Sequence, residues 1–156
     1  METITIPQRE IPVINKVDVL VVGGGPAGIG AALASARENL NTMLVEQYGF
    51  LGGMWTAGLV NPIFEYKNKG GIVREVVDRL SKMNALKDSH TTRHTFDPEM
   101  MKFLADNMMD EANVNLLYHT FTVDSIVEKN QIKGVVIANK SGTSAILANT
   151  VIDCTG

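Results

Sequence analysis

The sequence predicts an α/β domain in which helices flank a parallel sheet and a three-stranded antiparallel β-meander lies on one face. The first observation is a strand, a glycine turn, a small-residue helix and a second strand between residues 17 and 46, which is the pattern of a β-α-β unit. The second observation is that two helical patterns and a group of short strands separated by turns follow this unit. A plain nucleotide-binding domain would instead continue with further β-α-β units. This order favours a Rossmann-like sheet with a meander over a plain nucleotide-binding domain.

The glycine turn follows an apolar run, Val17–Val22, that is typical of a strand buried on both faces. The turn has the spacing G-x-G-x-x-G: the first glycine permits the turn, the second lets backbone approach a pyrophosphate, and the third lets helix and strand pack closely. The helix that follows directs unpaired N–H groups and its positive dipole end at the phosphates. The candidate contacts with an adenine dinucleotide in this turn are Gly23, Gly25, Pro26, Ala27 and Gly28.

The second strand, Thr42–Val45, ends at a carboxylate, Glu46. A carboxylate at this position can accept hydrogen bonds from both hydroxyls of an adenosine ribose, and it repels a 2′-phosphate, so an NADP-type ligand is disfavoured. Glu46 and the adjacent Gln47 are therefore candidate ligand contacts. These residues by themselves leave both FAD and NAD open as the ligand.

Composition and charge exclude several classes of protein. Of the 156 residues 45% are hydrophobic, enough for one domain with a core, and the net charge of −3 without a basic cluster argues against a nucleic-acid partner. The single cysteine, Cys154, excludes an internal disulfide framework, and no His, Cys, Asp or Glu spacing indicates a metal. No apolar run reaches membrane length and no secretory signal is visible, so we predict a cytoplasmic domain without a membrane partner.

The predicted domain covers residues 17–156 and follows an extended N-terminal arm at residues 1–16. Residues 47–71 form an irregular segment that is too apolar for a solvated loop, so it either packs on the core or covers a flat ligand. One helix is predicted from Gly70 and another from Asp97, an N-cap residue followed by proline. Methionines on the second helix are predicted to fill gaps in the core, and the polar interval Lys87–Thr95 predicts a surface loop.

The last third of the chain predicts strands. Val114–Tyr118 predicts a third strand, and three segments separated by turn sequences then predict the antiparallel meander, before a short apolar strand near the C-terminus. The meander strands are predicted at Phe121–Val127, Ile132–Ala138 and Thr143–Leu147, and the last strand at Thr150–Cys154.

Several segments match a known protein family in sequence and in order. They include VDVLVVGGGPAGIGAALASAR, LVEQYGFLGGMWTAGLV, FDPEMMKFLADNMMDEANVNLLYHT and VIDCTG. Over nearly the whole chain they resemble the N-terminal part of the FAD-dependent oxidoreductases related to glutathione-reductase-type and succinate-dehydrogenase-type flavoproteins. The resemblance implies an FAD/NAD(P)-binding fold, with FAD as the cofactor of an oxidoreductase.

The resemblance also implies ligand contacts residue by residue. The FAD pyrophosphate would lie on the glycine turn and the adenosine ribose on Glu46. The second glycine segment would lie beside the dinucleotide, the backbone at the start of the meander would contact the adenine, and the terminal Thr-Gly would lie near the ribityl chain and pyrophosphate. These further contacts are Leu51, Gly52, Gly53, Thr56, Val123, Thr155 and Gly156.

Members of this family continue beyond the terminal Thr-Gly with flavin contacts and a substrate domain. The resemblance therefore implies that this chain is truncated at its C-terminal end. Such a chain is expected to hold FAD weakly or not at all, and to be inactive by itself. The apolar surface that truncation exposes would allow self-association. Cys154 stands where the family more often has alanine, and it is expected to be a small buried residue, not a redox thiol.

The catalytic residues and the substrate are not assigned from the sequence. The acid–base candidates are His90, Arg93, His94 and His119, which are expected to be solvated or structural. Two alternatives to an FAD-binding domain stay open: an NAD-binding dehydrogenase domain and a non-catalytic dinucleotide-binding or interaction module. The meander and the second glycine segment count against the NAD-binding alternative.

Overall fold

The computed structural model describes residues 2–5, 7–8, 10–64, 66–88 and 94–156. Its strands are β1 (Val13–Val22), β2 (Thr42–Val45), β3 (Pro62–Ile63), β4 (Leu86–Asp88), β5 (His94–Phe96), β6 (Asn115–Leu117), β7 (Phe121–Glu128), β8 (Gln131–Asn139) and β9 (Gly142–Asp153). Its helices are α1 (Pro26–Arg37), α2 (Gly71–Lys82) and α3 (Pro98–Glu111). Six strands form one sheet in the order β6-β2-β1-β9-β8-β7, and three form a second sheet in the order β3-β5-β4.

The parallel half of the large sheet brings the candidate ligand contacts to one edge. Strands β6, β2, β1 and β9 are parallel neighbours. Val22 at the end of β1 pairs with Val45 of β2 on one side and with Asp153 of β9 on the other. The chain segments that follow these three residues therefore meet outside the carboxyl ends of the strands, where ligands bind in open α/β sheets. β1 itself begins at Val13, inside the predicted N-terminal arm.

The predicted α/β fold and its meander are confirmed, with one difference in how the meander joins the sheet. β7, β8 and β9 are antiparallel neighbours, but β9 is one continuous strand where the sequence predicted two. Residues 145–147 of β9 pair with β8 on one side and with β1 on the other. The strand continues because Ala148 is buried in the core and pairs with Val17 of β1.

The polar interval Lys87–Thr95 was predicted as a surface loop, and this prediction is wrong at both of its ends. Leu86–Asp88 and His94–Phe96 pair as antiparallel strands, and the second also pairs with Pro62–Ile63. The strands are short and mostly polar, so neither has the alternating pattern by which strands are recognised. Their pairing depends on Phe96, which is buried, and on a partner strand in the apolar segment. Residues 89–93 lie outside the described residues.

The large sheet is covered by a hydrophobic cluster on each face. One cluster contains residues from all three helices, packed on Val19 and Val21 of β1. The other contains only strand residues, in which Val135, Ile137 and Ile146 of the meander share a cluster with Leu20 of β1. This second cluster is the physical basis for the predicted meander on one face. Within the ranges described, no helix is long and apolar enough to cross a membrane.

The methionines of α3 fill the helix-facing core, as the sequence predicts. Met101, Met108 and Met109 are fully or almost fully buried. The helix begins at the predicted cap, where Oδ1 of Asp97 accepts hydrogen bonds from the backbone N–H groups of Glu99 and Met100. This cap satisfies two of the N–H groups that have no partner within the helix.

A chain of alternating charges connects the three helices. Arg37 on α1 lies 2.7 Å from Glu75 on α2, and Arg79 on α2 lies 2.8 Å from Glu75 and 2.6 Å from Glu111 on α3. Hydrogen bonding by the Arg37 guanidinium, together with the charges of both arginines, holds the pKa of Glu75 below its usual value. Glu75 pairs with both arginines, so its removal breaks the ion pair between α1 and α2 and one ion pair within α2.

We expect Glu75→Gln to lower the free energy of unfolding by about 1 kcal/mol at pH 7, as for a partly exposed ion pair in a network. Because the folded-state pKa of Glu75 is lowered, its contribution is present above the unfolded-state value of about 4.3 and is lost as the pH falls through the folded-state value. Thermal unfolding of wild type and variant should therefore differ at pH 7, and this difference should shrink as the pH falls below about 4.3. A difference that stays constant over this range would contradict the role of Glu75.

Candidate functional site

A cavity of about 510 Å³ lies outside the carboxyl ends of β1, β2 and β9. Its size is in the range of small-molecule and cofactor sites. Four parts of the chain form the wall: the glycine turn, the segment after β2, the start of β7 and the C-terminal residues. The lining residues are Val22, Gly23, Gly24, Gly25, Pro26, Ala27, Val45, Glu46, Gln47, Tyr48, Gly53, Met54, Thr120, Phe121, Thr122, Cys154, Thr155 and Gly156.

The three glycines of the G-x-G-x-x-G motif have different structural reasons to be glycine. Gly23 has a φ of 96°, and a Cβ there would lie 2.6 Å from the carbonyl oxygen of Cys154. A Cβ on Gly28 would lie 1.8 Å from the carbonyl oxygen of Gly23, which is the close helix–strand contact predicted for the third glycine. A Cβ on Gly25 would meet no atom within 4 Å. Gly25 therefore borders open space in the cavity, as an approaching phosphate requires.

The N-terminus of α1 is left uncapped at the cavity. Gly25 is the N-cap residue in an extended conformation, Pro26 is at the first helical position, and no side chain caps the helix. The first turn also contains no acidic residue. The first N–H groups of an α-helix have no partner within it, and their positive dipole end favours an anion. This end of α1 therefore has the charge and the free donors that a pyrophosphate needs.

Glu46 is a buried carboxylate in the cavity wall, 5% exposed. Its Oε2 accepts a hydrogen bond from the N–H of Gly24 at 2.6 Å, and its Oε1 accepts one from the N–H of Tyr48 at 2.8 Å. Each carboxylate oxygen can accept further hydrogen bonds. The two backbone donors fix the carboxylate beside the glycine turn and leave it able to accept from hydroxyl groups in the cavity.

The second glycine segment packs directly on the first. The N–H of Gly52 donates to the carbonyl oxygen of Gly24 at 2.8 Å, and a Cβ on Gly53 would lie 2.9 Å from Cα of Gly25. Leu51 is fully buried, and its carbonyl oxygen accepts the hydroxyl of buried Thr56 at 2.7 Å. Gly53 therefore reaches the cavity, while Leu51, Gly52 and Thr56 lie behind it and hold the segment in place.

Comparison with known proteins decides between the ligand classes left open by the turn. The family model described as FAD dependent oxidoreductase matches residues 18–156. The chain belongs to this family. FAD, the cofactor predicted from the sequence, is confirmed by this membership, and so is the FAD-dependent oxidoreductase domain.

Individual relatives agree with the family in fold. Thiamine thiazole synthases from Methanococcus vannielii and Methanococcus maripaludis strain C6 are 30% and 31% identical, over 90% and 92% of this chain and 56% and 57% of their own lengths. The chain thus spans little more than half of these relatives. Among solved structures, a geranylgeranyl bacteriochlorophyll reductase-like protein from Thermoplasma acidophilum has a TM-score of 0.70 at 20% identity, covering 91% of this chain and 40% of its own. THI4 from Thermovibrio ammonificans has a TM-score of 0.67 at 22% identity, covering 90% and 58%.

The remaining predicted FAD contacts divide between the cavity wall and its surroundings. Gln47, Thr155 and Gly156 line the cavity, whereas Gly28 lies behind the turn. Val123 is exposed and lies outside the lining residues, because the β7 segment that forms the wall is 120–122. Val123 directly follows this wall segment, and its backbone contact with the adenine, which the family resemblance implies, stays a prediction.

Cys154 lies in the cavity wall and is only half-buried. Burial, and then the adjacent Asp153 carboxylate, raise the pKa of its thiol. The N–H and the hydroxyl of Thr155 donate to Oδ1 of Asp153 and lower the pKa of that carboxyl. A thiol with a raised pKa is a weaker nucleophile at neutral pH, so these shifts favour the packing role over a redox role.

The acid–base candidates are not brought together at the cavity. His94 packs edge-on against the ring of Tyr66, with ring centroids 5.2 Å apart, and His119 is exposed with a φ of 51°. Neither lines the cavity, and His90 and Arg93 lie outside the described residues. Of the part of the chain that the structure describes, no lysine, arginine or histidine lines the cavity. The described residues also contain no group of three or more His, Cys, Asp or Glu that could hold a metal ion.

Sequence reasoning missed part of the cavity wall. The missed residues end β1 and β2, lie in the segments that follow β1, β2 and β9, or lie at the entry to β7. A signal for most of them was present, since the residues that follow neighbouring parallel strands meet at one edge. The ladder that joins the two segments is not readable from the sequence: the N–H of Thr120 donates to the carbonyl oxygen of Glu46 at 3.0 Å. The missed residues are Val22, Gly24, Val45, Tyr48, Met54, Thr120, Phe121, Thr122 and Cys154.

Proposed function

We propose that this chain binds the ADP half of FAD, with the pyrophosphate at the turn Gly23–Gly28 and the ribose at Glu46. The observation that carries the proposal is the uncapped N-terminus of α1 beside a buried carboxylate in one cavity. The turn offers free N–H donors to the phosphates, and the carboxylate accepts from ribose hydroxyls. The open space at Gly25 supports the fit, because the ligand can approach the backbone there.

The second part of the proposal concerns the whole protein, which we infer to be a flavin-dependent oxidoreductase. Bound FAD supplies the hydride or electron transfer, while the protein supplies binding and orientation. The names of the similar structures include a reductase-like protein, a halogenase and a monooxygenase, so one fold accompanies several reactions. The chain spans little more than half of its curated relatives, and we propose that by itself it binds ligand with little or no turnover.

The cavity should also discriminate between nucleotides by charge. Its lining residues include the Glu46 carboxylate but no basic side chain within the described chain. A 2′-phosphate placed at this carboxylate would be repelled and would find no cation to pair with. Ligands with free ribose hydroxyls are therefore favoured over 2′-phosphorylated ones.

We expect ADP and FAD to bind the purified chain with similar dissociation constants, because they share the bound half. FMN, which lacks that half, should not bind. Adenosine 2′,5′-bisphosphate should bind at least about tenfold more weakly than AMP, from which it differs only by the 2′-phosphate, since about 1.4 kcal/mol of repulsion suffices. Isothermal titration calorimetry against each ligand measures these constants. In Glu46→Gln the preference for AMP over the bisphosphate should largely disappear, and thermal unfolding of the same sample shows whether the fold is kept.

Other results would overturn the proposal. Equal dissociation constants for FMN and ADP would contradict the proposal that the chain binds the ADP half. If Glu46→Gln kept the full preference for the ligand without a 2′-phosphate, the proposed role of that carboxylate would be wrong. NAD shares the ADP half, so binding to this chain does not distinguish it from FAD, and the flavin assignment is tested on the whole protein. A whole protein that is isolated colourless and takes up NAD but not FAD would contradict the flavin assignment. One that carries flavin without turnover in redox assays would favour a non-catalytic module.

A further inference from the structure

Two aromatic side chains in the cavity wall are unusually exposed. Tyr48 is 45% exposed and Phe121 is 57% exposed, and both line the cavity. Neither belongs to the glycine motifs or to the contacts inferred from the family. Large exposed apolar groups in a concave site are typical of ligand contacts.

Both aromatic residues are connected to the backbone of Glu46. Tyr48 follows Glu46 by two residues, and its N–H donates to Oε1 of Glu46 at 2.8 Å. Phe121 follows Thr120, whose N–H donates to the carbonyl oxygen of Glu46 at 3.0 Å. The glycine turn lies on the Gly24 side of the same carboxylate, through the other oxygen. The two rings therefore lie on chain segments that are hydrogen-bonded to Glu46 separately from the glycine turn. The turn is the part of the site that is proposed to hold the phosphates.

Tyr48 is also held in place from several sides. Its carbonyl oxygen accepts from the N–H of His119 at 3.1 Å. Its ring stacks on the ring of Phe50, with centroids 5.7 Å apart and an interplanar angle of 10°. Nζ of Lys102 lies 4.1 Å from the Phe50 centroid, in cation–π contact, and 2.6 Å from the Glu99 carboxylate. This layered arrangement orders the Tyr48 ring before any ligand binds.

We propose that Tyr48 and Phe121 are positioning residues that hold the purine base of the bound nucleotide by ring contact. The inference rests on the proposed function, which places the ribose at Glu46 and the phosphates at the turn. In a nucleotide the base and the phosphates leave the ribose on different sides, so the base is directed to the segments that carry these two rings. A ring ordered in advance loses less conformational entropy on binding, and the Tyr48 ring can extend its stack by one further layer.

We expect Tyr48→Ala to raise the dissociation constant for ADP at least about tenfold, as for the loss of one base–aromatic stacking contact. Phe121→Ala should act in the same direction, and it pairs across the strand with Ala138, so no large neighbour is left unsupported. CDP has the same ribose and diphosphate as ADP but a smaller base, so it has less ring area for stacking. Wild type should therefore bind ADP more tightly than CDP, and the ratio of the two dissociation constants should be smaller in Tyr48→Ala. General damage to the site would weaken both ligands in parallel. The constants are measured by calorimetry.

Two further variants keep the test interpretable. Tyr48→Phe retains the ring and should bind ADP like wild type, whereas a loss in Tyr48→Phe equal to that in Tyr48→Ala would overturn stacking as the cause. Phe103→Ala removes an equally exposed ring outside the cavity and should change nothing. If wild type binds ADP and Tyr48→Ala binds ADP and CDP as tightly as wild type does, this inference is overturned and the proposed function is not. Wild type that binds no ADP overturns the proposed function and this inference together.

Discussion

Gly28→Ala is expected to destabilise the protein by about 3 kcal/mol or more, at the upper end for an overpacking substitution. The added methyl group would lie 1.8 Å from the carbonyl oxygen of Gly23, and that oxygen belongs to backbone, not to a flexible side chain. Helix α1 would have to move away from the end of β1, where both elements contribute to the main core. In thermal unfolding the midpoint should fall by about 6–12 °C for a chain of this size.

Gly30→Ala is the matched control for this result. Gly30 lies in the same helix, and a Cβ there would meet no atom within 4 Å. Replacing a helical glycine with alanine then stabilises by up to about 1 kcal/mol, because alanine has the higher helix propensity. The two variants should therefore shift the midpoint in opposite directions. Similar midpoints for both would show that the close helix–strand contact does not contribute as the geometry indicates.

The sequence predicts most of the parallel sheet because each part of it has a local signature. The apolar run before Gly23 predicts a strand buried on both faces, and the burial of Val19 and Val21 in one cluster and of Leu20 and Val22 in the other confirms it. Glu46 is recognisable because a carboxylate at the end of the second strand has a known use. Asp97 and its proline predict the start of α3 to the residue. In all of these cases the signal lies within a few residues along the chain.

The parts that sequence reasoning missed depend on contacts between distant segments. Strand β5 exists because residues of the apolar segment near Ile63 pair with it, and its own sequence contains no alternation. The backbone of Tyr48 is held at the cavity wall by a hydrogen bond that the N–H of His119 donates to its carbonyl oxygen. His119 lies more than seventy positions later in the chain. The apolar segment was expected to pack on the core or to cover a flat ligand. Leu51 is buried in the core and Met54 lines the cavity, while the cover over a ligand stays a prediction.

The glycines around the cavity separate into those that the fold needs and those that the ligand needs. Gly23, Gly28 and Gly53 are each in close contact with backbone, so a side chain on any of them would disturb packing first. Gly25 has no such contact and an ordinary φ of −69°. Folding therefore gives no strong reason for glycine at this position, and the reason is expected to be the space that a bound phosphate occupies.

Gly25→Ala is accordingly expected to raise the dissociation constant for ADP about a hundredfold, the loss of one or two hydrogen bonds to a charged phosphate, with little effect on stability. The added methyl group would occupy the open space in front of the uncapped N-terminus of α1 and keep the phosphates from its N–H groups. Calorimetry with ADP measures the loss, and thermal unfolding without ligand should change by the equivalent of about 1 kcal/mol at most, as for an N-cap change.

Gly70→Ala isolates the effect of the cap from the effect on the ligand. Gly70 is the N-cap residue of α2, also extended and without a side-chain cap, and a Cβ there would likewise meet no atom within 4 Å. It lies outside the cavity wall, so its variant should show the same small change in stability and unchanged ADP binding. Loss of binding in both variants would point to a general effect of the cap on the fold. Normal binding in Gly25→Ala would place the phosphates elsewhere than at the N-terminus of α1.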